Sequence, residues 1–170
     1  NSDFTVELWA QRTGSFAANT KYYLWGIDSK GLYVYNNTFY WAHDDSTNTS
    51  TGVSVPNFGE WFHAAIVCVN STKTIKLVLN GTSTSWSKSF TTLIYNGSTA
   101  IGGASPNTPY DAWNGLIDQF KVYNSALSDA QIAQSMNTYS NVGITGSPTL
   151  SHHISFNDKR PNSQYTDFGL

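Results

Sequence analysis

The alternation of apolar and polar residues restricts the fold of this chain more than any other feature of its sequence. Phe4–Ala10 alternates over most of its length, and the apolar runs Trp61–Val69 and Thr74–Leu79 are separated only by the polar turn Asn70–Lys73. Because successive side chains of a strand point to opposite faces of a sheet, a period of two residues predicts β-strands. The two adjacent runs therefore predict a β-hairpin.

Turn signals divide the rest of the chain into further short strands. Asn80-Gly81 and Asn96-Gly97 are dipeptides that favour tight hairpin turns, because both residue types tolerate positive φ. Polar loops are expected at Asp44–Asn57 and around Pro106 and Pro109. The other predicted strands are Tyr22–Ile27, Leu32–Tyr35, Phe39–Ala42, Thr91–Tyr95, Ala100–Gly103, Leu116–Tyr123 and His152–Phe156.

One segment has helical rather than strand periodicity. Ser128 followed by Gln131 matches a capping box, and Ile132, Ala133 and Met136 continue at helical spacing. About ten short strands with a single helix predict an all-β sandwich of two antiparallel sheets. A parallel α/β architecture is excluded, since no helices alternate with the strands.

The composition indicates a surface kept soluble by amides and hydroxyls rather than by charge. Charged residues make up 12% of the chain and the formal net charge is −2, while about a third of the residues are Asn, Ser or Thr. Phosphate binding needs clustered Lys and Arg, so the sequence argues against nucleic acid as a partner. No run approaches the roughly 18 apolar residues of a membrane span. We expect a protein displayed outside a cell, at a cell surface or on a virion.

The single cysteine says little about the compartment. Cys68 has no partner for an internal disulfide and sits within the apolar run Ala64–Val69. A thiol in such a run is expected to be buried and chemically inert.

Several segments also share an order and spacing with a known family. They are Phe4–Trp9, Trp61–Val67, Ile75–Gly81, Ile101–Gly103, Trp113–Asn124 and Ala126–Ile132. Together they resemble the laminin-G-like jelly rolls of the concanavalin A-like lectin/glucanase superfamily. The resemblance implies an all-β, two-sheet antiparallel jelly-roll sandwich with one short helix. It also implies a carbohydrate- or protein-binding role, sometimes with calcium.

The end of the chain departs from the pattern of that family. Members usually begin with a strand that is lacking before Phe4, whereas Leu150–Asn157 followed by Thr166–Gly169 looks like that opening. We therefore expect a laminin-G-like domain at residues 3–140, a linker at 141–149 and a strand within 150–170. This strand completes a permuted sandwich, opens a further repeat of a larger parent polypeptide, or is donated to a neighbour in a homo-oligomer.

The sequence predicts no catalytic residues. A glycosidase on this kind of sandwich needs paired carboxylates two residues apart, so that both face the cleft. Glu7 and Glu60 are the only glutamates, and neither has a carboxylate at that spacing. Asp44 and Asp45 are adjacent and would point to opposite faces of a strand. No Gly-x-Ser-x-Gly nucleophile elbow occurs.

Calcium is the cofactor that the sequence best accommodates. This ion binds carboxylates, amides and backbone carbonyls. Asp44 and Asp45 would bind it together with Asn107 or Asp111 from a second loop. Alternatively, Asp118 would hold a structural calcium ion elsewhere. The alternative is that these aspartates cap turns.

Aromatic and amide residues in the two polar loops predict a sugar site. Such sites combine an aromatic face with a few polar groups that fix the orientation of the ligand, and loops commonly carry function. For Trp41 the alternative is a place in the core. The predicted ligand-binding residues are Trp41, His43, Asp44, Asp45, Asn107, Tyr110 and Asp111.

Together these features favour a non-catalytic extracellular recognition or adhesion module that binds a glycan or a protein ligand. A structural virion domain, such as a capsid decoration, fibre or spike, is the alternative. A glycan-active enzyme is the weakest hypothesis, because the carboxylate pair is missing.

Overall fold

A computed structural model describes residues 2–27, 30–42, 48–89, 99–105, 111–138, 144–146 and 148–156. Within these ranges the chain forms eleven strands and one short helix. The strands are β1 Phe4–Arg12, β2 Lys21–Ile27, β3 Lys30–Tyr35, β4 Thr38–Ala42, β5 Asn48–Ser54, β6 Trp61–Val69, β7 Thr74–Leu79, β8 Thr82–Ser89, β9 Thr99–Ile101, β10 Gly115–Tyr123 and β11 Leu150–Ile154. The helix α1 is Asp129–Ser135.

The strands form two sheets. One has six strands in the order β11-β10-β1-β6-β7-β8, and the other has five in the order β5-β4-β3-β2-β9. The predicted hairpin of β6 and β7 is confirmed, with Ala65 paired to Val78. Asn80 and Gly81 connect β7 to β8 with φ angles of 50° and 75°, the left-handed conformation that this turn requires.

The chain divides into two compact units, each with buried residues of its own. The first contains α1 and most of the six-stranded sheet, and the second contains the five-stranded sheet. In the first unit Leu127 and Ile132 pack with residues of β6, β7 and β10 in an apolar cluster.

Cys68 is also buried, which raises the pKa of its thiol to about 11. The prediction of a buried cysteine is confirmed.

The capping box is confirmed as well. The hydroxyl oxygen of Ser128 accepts from the backbone N–H of Gln131 at 3.3 Å, and the side chain of Gln131 accepts from the backbone N–H of Ser128 at 2.9 Å. These reciprocal bonds satisfy donors that the first turn of a helix leaves unpaired.

Two strands have no counterpart in the sequence prediction. Asn48–Ser54 lies within the expected loop Asp44–Asn57 but pairs with β4 as the edge strand β5. Most of its residues are at least partly exposed, and the buried Thr51 donates its hydroxyl to the carbonyl oxygen of Phe39 at 2.8 Å. A strand that is polar on both faces lacks the alternation by which strands are recognised. The edge strand β8, rich in Ser and Thr, was missed for the same reason.

The last described strand begins earlier than predicted. β11 spans Leu150–Ile154 rather than His152–Phe156, and it pairs antiparallel with β10 of the same chain. Its burial does not alternate strictly: Leu150 and His153 are buried and His152 is exposed, and the register shifts between the partners of His152 and Leu150. The predicted strand Thr91–Tyr95 and the turn Asn96-Gly97 lie outside the described residues.

Candidate ligand-binding site

A row of tyrosines crosses three strands of the five-stranded sheet. Tyr33 of β3 is paired with Tyr23 of β2 on one side and with Tyr40 of β4 on the other. The ring centroids of Tyr23 and Tyr33 are 4.8 Å apart, and those of Tyr33 and Tyr40 are 5.4 Å apart; both pairs are stacked. Tyr35, two residues further along β3, meets Tyr40 edge to face at 5.6 Å. The result is a continuous row of rings, in which Tyr23 and Tyr33 are buried, at 1% and 2% exposure, and Tyr35 and Tyr40 are partly exposed.

The alternation of β3 and β4 produces this row of rings. Leu32 and Val34 alternate with the two tyrosines of β3, and both are buried. On β4, Tyr40 lies between the buried residues Phe39 and Trp41. Since neighbouring side chains of a strand point to opposite faces, these residues lie on one face of the sheet and the tyrosines lie on the other. On the tyrosine face, Tyr23 and Tyr33 form a buried cluster against which Tyr35 and Tyr40 pack.

Polar side chains surround the tyrosines. The hydroxyl of Tyr33 donates to Oδ1 of Asn48 at 2.9 Å, and the hydroxyl of Tyr35 donates to Oδ1 of Asn19 at 3.0 Å. The Nζ atom of Lys21 lies 5.2 Å from the ring centroid of Tyr33, within the range of a cation–π interaction. Aromatic faces and amide groups therefore occur together at one place.

These side chains line an open pocket of about 470 Å³, a volume within the range of small-molecule sites. We call it the tyrosine pocket. Its lining residues are Asn19, Lys21, Tyr33, Tyr35, Tyr40, Asn48 and Asp111.

Asp111 enters the pocket from a turn beside β2. It adopts a left-handed conformation with φ of 64°, which Asp tolerates better than most residues. Its carbonyl oxygen accepts from the backbone N–H of Tyr23 at 2.8 Å, and the next residue, Ala112, forms a bridge with Tyr23. Burial raises the pKa of Tyr23 above its usual value, and the nearby carboxylate of Asp111 raises it further.

Of the predicted ligand-binding residues, the structure brings Asp111 to this pocket. Trp41 is fully buried on the opposite face of the sheet, with its ring centroid 5.8 Å from that of Trp25. An interior ring is not available to stack on a ligand, so Trp41 takes the core role that the sequence left open. The predicted residues His43, Asp44, Asp45, Asn107 and Tyr110 lie outside the described residues.

Two of the aspartates predicted to bind calcium, Asp111 and Asp118, lie among the described residues. Oδ1 of Asp118 accepts from the backbone N–H groups of Gln119 at 2.8 Å and Phe156 at 3.1 Å, the turn-capping role that was the alternative for this residue. Among the residues that the structure describes, no three His, Cys, Asp or Glu side chains are grouped to hold a metal. Calcium binding by Asp44 and Asp45 together with Asn107 or Asp111 stays a prediction.

Lys21, Tyr33, Tyr35 and Tyr40 were missed as site residues in the sequence. The signal was present, because Tyr33 and Tyr40 lie at equal distances from the turn Asn36-Asn37 and must face each other in a two-residue hairpin. Tyr35 shares their face by the period of two. The sequence, however, does not reveal whether this face is covered or open.

A second concentration of ionisable groups lies in the first unit. Ser135 donates its hydroxyl to Oε1 of Glu7, and Nζ of Lys121 lies 3.3 Å from the same oxygen. Lys121 also donates to the carbonyl oxygens of Ser135 at 2.7 Å and Thr138 at 2.8 Å. Burial raises the pKa of Glu7 and lowers that of Lys121, while their pairing opposes both shifts. Both side chains are at most 2% exposed, so the cluster fixes the end of α1 instead of meeting a substrate.

The two antiparallel sheets and single short helix define the class of this protein, an all-β jelly-roll sandwich, as predicted. The chain belongs to the concanavalin A-like lectin/glucanases superfamily, whose laminin-G-like family model matches residues 1–133. No curated protein sequence matches the chain. Within the described residues, no helix is long and apolar enough to cross a membrane.

Solved structures share the fold at low sequence identity. A candidate carbohydrate-binding protein from Bacteroides ovatus has a TM-score of 0.74 at 14% identity, over 98% of this chain and 49% of that one. The chain thus spans about half the length of the Bacteroides protein. The sialidase module CBM40 of Ruminococcus gnavus, bound to α2,3-sialyllactose, has a TM-score of 0.60 at 17% identity over 78% and 82% of the two chains. Domain 4 of an extracellular arabinanase from Geobacillus stearothermophilus, in complex with arabinotriose, has a TM-score of 0.55 at 22% identity over 79% and 66%.

Proposed function

We propose that this protein is a non-catalytic, extracellular recognition module that binds glycans in the tyrosine pocket. The observation that carries the proposal is a pocket in which the partly exposed rings of Tyr35 and Tyr40 lie beside amides and one carboxylate. Sugar rings have apolar C–H faces that pack on aromatic rings, and hydroxyls that need donors and acceptors beside them. The tyrosine pocket offers both.

The structural neighbours support a glycan ligand. They are a candidate carbohydrate-binding protein, a module bound to sialyllactose and a domain bound to arabinotriose. Two of them are parts of glycan-processing enzymes, which is the setting in which a separate binding module is useful.

The pocket itself favours binding over catalysis. Glycoside hydrolysis requires two carboxyl groups flanking the bond that breaks. Among the described residues that line the tyrosine pocket, Asp111 is the single carboxylate.

The test is a glycan array followed by calorimetry on the best ligand. We expect Tyr40→Ala to weaken binding about tenfold, equivalent to ~1.4 kcal/mol, because a stacking ring is lost. Tyr40 is half-buried and lines the pocket. Phe58→Ala is the matched control, since Phe58 is 60% exposed and lies outside the pocket lining. It should bind as the wild type does.

Thermal melting of both variants shows whether a loss of binding comes from the missing side chain or from unfolding of the protein.

Repeating the array with EDTA tests the calcium prediction, because a calcium-dependent site would lose its signal. Binding that survives Tyr40→Ala but is lost in Phe58→Ala would place the site elsewhere. The absence of binding to any glycan class in either condition would refute the proposed function.

A further inference from the structure

Among the described residues that line the tyrosine pocket, Lys21 is the only cation. Its Nζ atom lies 5.2 Å from the ring centroid of Tyr33. This ring is stacked between those of Tyr23 and Tyr40 and is 2% exposed, so the group that attracts the ammonium is itself fixed in place. A charge that is held in position before a ligand arrives loses less conformational freedom on binding than an unrestrained side chain does.

The protein does not use the hydrogen-bond donors of this ammonium group. Within the described part of the chain, Lys21 forms neither a hydrogen bond nor an ion pair, and Asp111, the carboxylate of the same pocket, is not paired with it. Lys121, in contrast, is paired with Glu7 in the first unit. An ammonium group has three N–H donors and no acceptor. Those of Lys21 are therefore available to a ligand.

Two amide groups add further donors beside Lys21. The hydroxyls of Tyr33 and Tyr35 donate to Oδ1 of Asn48 and Asn19. These bonds orient each amide and leave its NH₂ group without an acceptor among the residues that the structure describes. The lining of the pocket thus offers more N–H donors than acceptors.

An excess of donors around a cation fits a ligand that brings anionic oxygens. Carboxylate and sulfate groups carry acceptors only, and their hydrogen bonds to an ammonium group are roughly twice as strong as bonds between neutral groups. A hydroxyl, in contrast, brings a donor with each acceptor. The single carboxylate of the lining, Asp111, is the acceptor that remains for the hydroxyls of the same sugar.

From this geometry we infer that the tyrosine pocket prefers acidic sugars, whose acidic group is bound by Lys21 while Asp111 binds neighbouring hydroxyls. The inference rests on the proposed function and names the ligand class of the same pocket. The chemistry that it requires is an anionic oxygen, which a uronic acid, a sialic acid or a sulfated sugar can supply. Lys21 is the specificity-determining residue.

The experiment uses an array of matched oligosaccharides at low salt, in which each neutral member has a carboxylated and a sulfated counterpart. Lactose with 3′-sialyllactose and 3′-sulfolactose is one such set. We expect an acidic member to bind about tenfold more tightly than the neutral one, because one added charge-assisted hydrogen bond changes affinity by about this factor. A gain for either acidic member supports the inference, and the larger gain identifies the acidic group.

Two substitutions of Lys21 separate its charge from its shape. Lys21→Gln keeps a donor but removes the charge, and should reduce the preference to less than about threefold. Lys21→Arg keeps the charge and should retain the preference. The matched control is Lys88→Gln, which removes one charge from an exposed residue outside the pocket lining and should leave the preference as it is. Thermal melting of each variant shows that it is folded.

The outcomes distinguish this inference from the proposed function. If the neutral members bind at least as tightly as the acidic ones, and Tyr40→Ala weakens that binding, the inference fails while the proposed function stands. A preference for acidic members that persists in Lys21→Gln also overturns it, as does a preference that Lys21→Arg loses to the same extent as Lys21→Gln. If no member of any set binds and the full glycan array is negative too, the proposed function itself fails.

Discussion

At the scale of single residues, His63 shows how burial decides a charge state. Its Nε2 atom lies 3.6 Å from Oε2 of Glu7, a distance that would suggest an ion pair. Burial, together with the nearby cation of Lys121, lowers the pKa of His63 to about 3. The imidazole is therefore neutral at physiological pH, and its edge-to-face contact with Trp9 at 5.4 Å is packing between neutral rings.

This shift predicts a pH dependence of stability. The pKa of His63 is about 3 in the folded state and near 6.5 in the unfolded state. Between these values the unfolded chain binds a proton that the folded chain does not. The free energy of unfolding should thus fall as pH falls, by ~1.4 kcal/mol per pH unit for one proton.

The comparison of wild type with His63→Gln isolates this proton. Urea denaturation at several pH values from 7 to 4 should show a shallower loss of stability in the variant, so that the two proteins converge as pH falls. The other groups of the cluster remain in both proteins and largely cancel in the difference. Parallel curves over this range would contradict the assignment.

At the scale of elements, α1 is held at both ends by contacts outside its own hydrogen-bond ladder. Its last turn has no basic residue, although a positive charge there would interact well with the helix dipole. The ammonium group of Lys121 on β10 fills this role by binding the carbonyl oxygens of Ser135 and Thr138. The paired charge of Glu7 keeps that buried ammonium from being isolated.

The first turn offers a direct test of the local sequence signal. Ser128→Ala removes the capping hydroxyl that accepts from the backbone of Gln131, and should destabilise the protein by about 1 kcal/mol. Ser54→Ala, at an exposed position of β5, should change stability by less than about 0.5 kcal/mol. Chemical denaturation of both variants measures the difference; equal stabilities would show that the cap contributes nothing.

At the scale of the whole molecule, the distant segment β11 joins the six-stranded sheet at β10. Leu150 is 3% exposed and packs in the apolar cluster that contains Ile132 of α1. The three accounts of this strand, a permuted sandwich, the opening of a further repeat and a strand donated to a neighbour, stay predictions.

Leu150→Ala tests how much this strand contributes. Deleting a buried leucine side chain should cost about 2–4 kcal/mol, whereas Leu116→Ala, at a position 50% exposed, should cost less than about 1 kcal/mol. Thermal melting at two protein concentrations provides the further check. A midpoint that is independent of concentration fits pairing within one chain, and a midpoint that rises with concentration would indicate a strand shared between subunits.

The sequence by itself determined the class of fold and its best-marked elements. The alternation in Phe4–Ala10, the hairpin of β6 and β7 and the capping box at Ser128 each follow from local rules, because side-chain period and turn chemistry act over a few residues. The polar edge strands β5 and β8 were not recognisable in this way. They form because a neighbouring strand of the folded sheet presents unpaired backbone N–H and C=O groups. The tertiary structure, and not the local sequence, supplies that neighbour.

The binding surface was decided by tertiary structure. Trp41 and Tyr40 are adjacent aromatic residues, yet one is fully buried and the other lines a pocket. Local sequence fixes that they point to opposite faces of β4, but only the packing of the chain fixes which face is covered. For the same reason Asp111, far along the chain from β3, was recognisable as a polar loop residue. Its place beside the tyrosines depended on the bridge that Ala112 makes with β2.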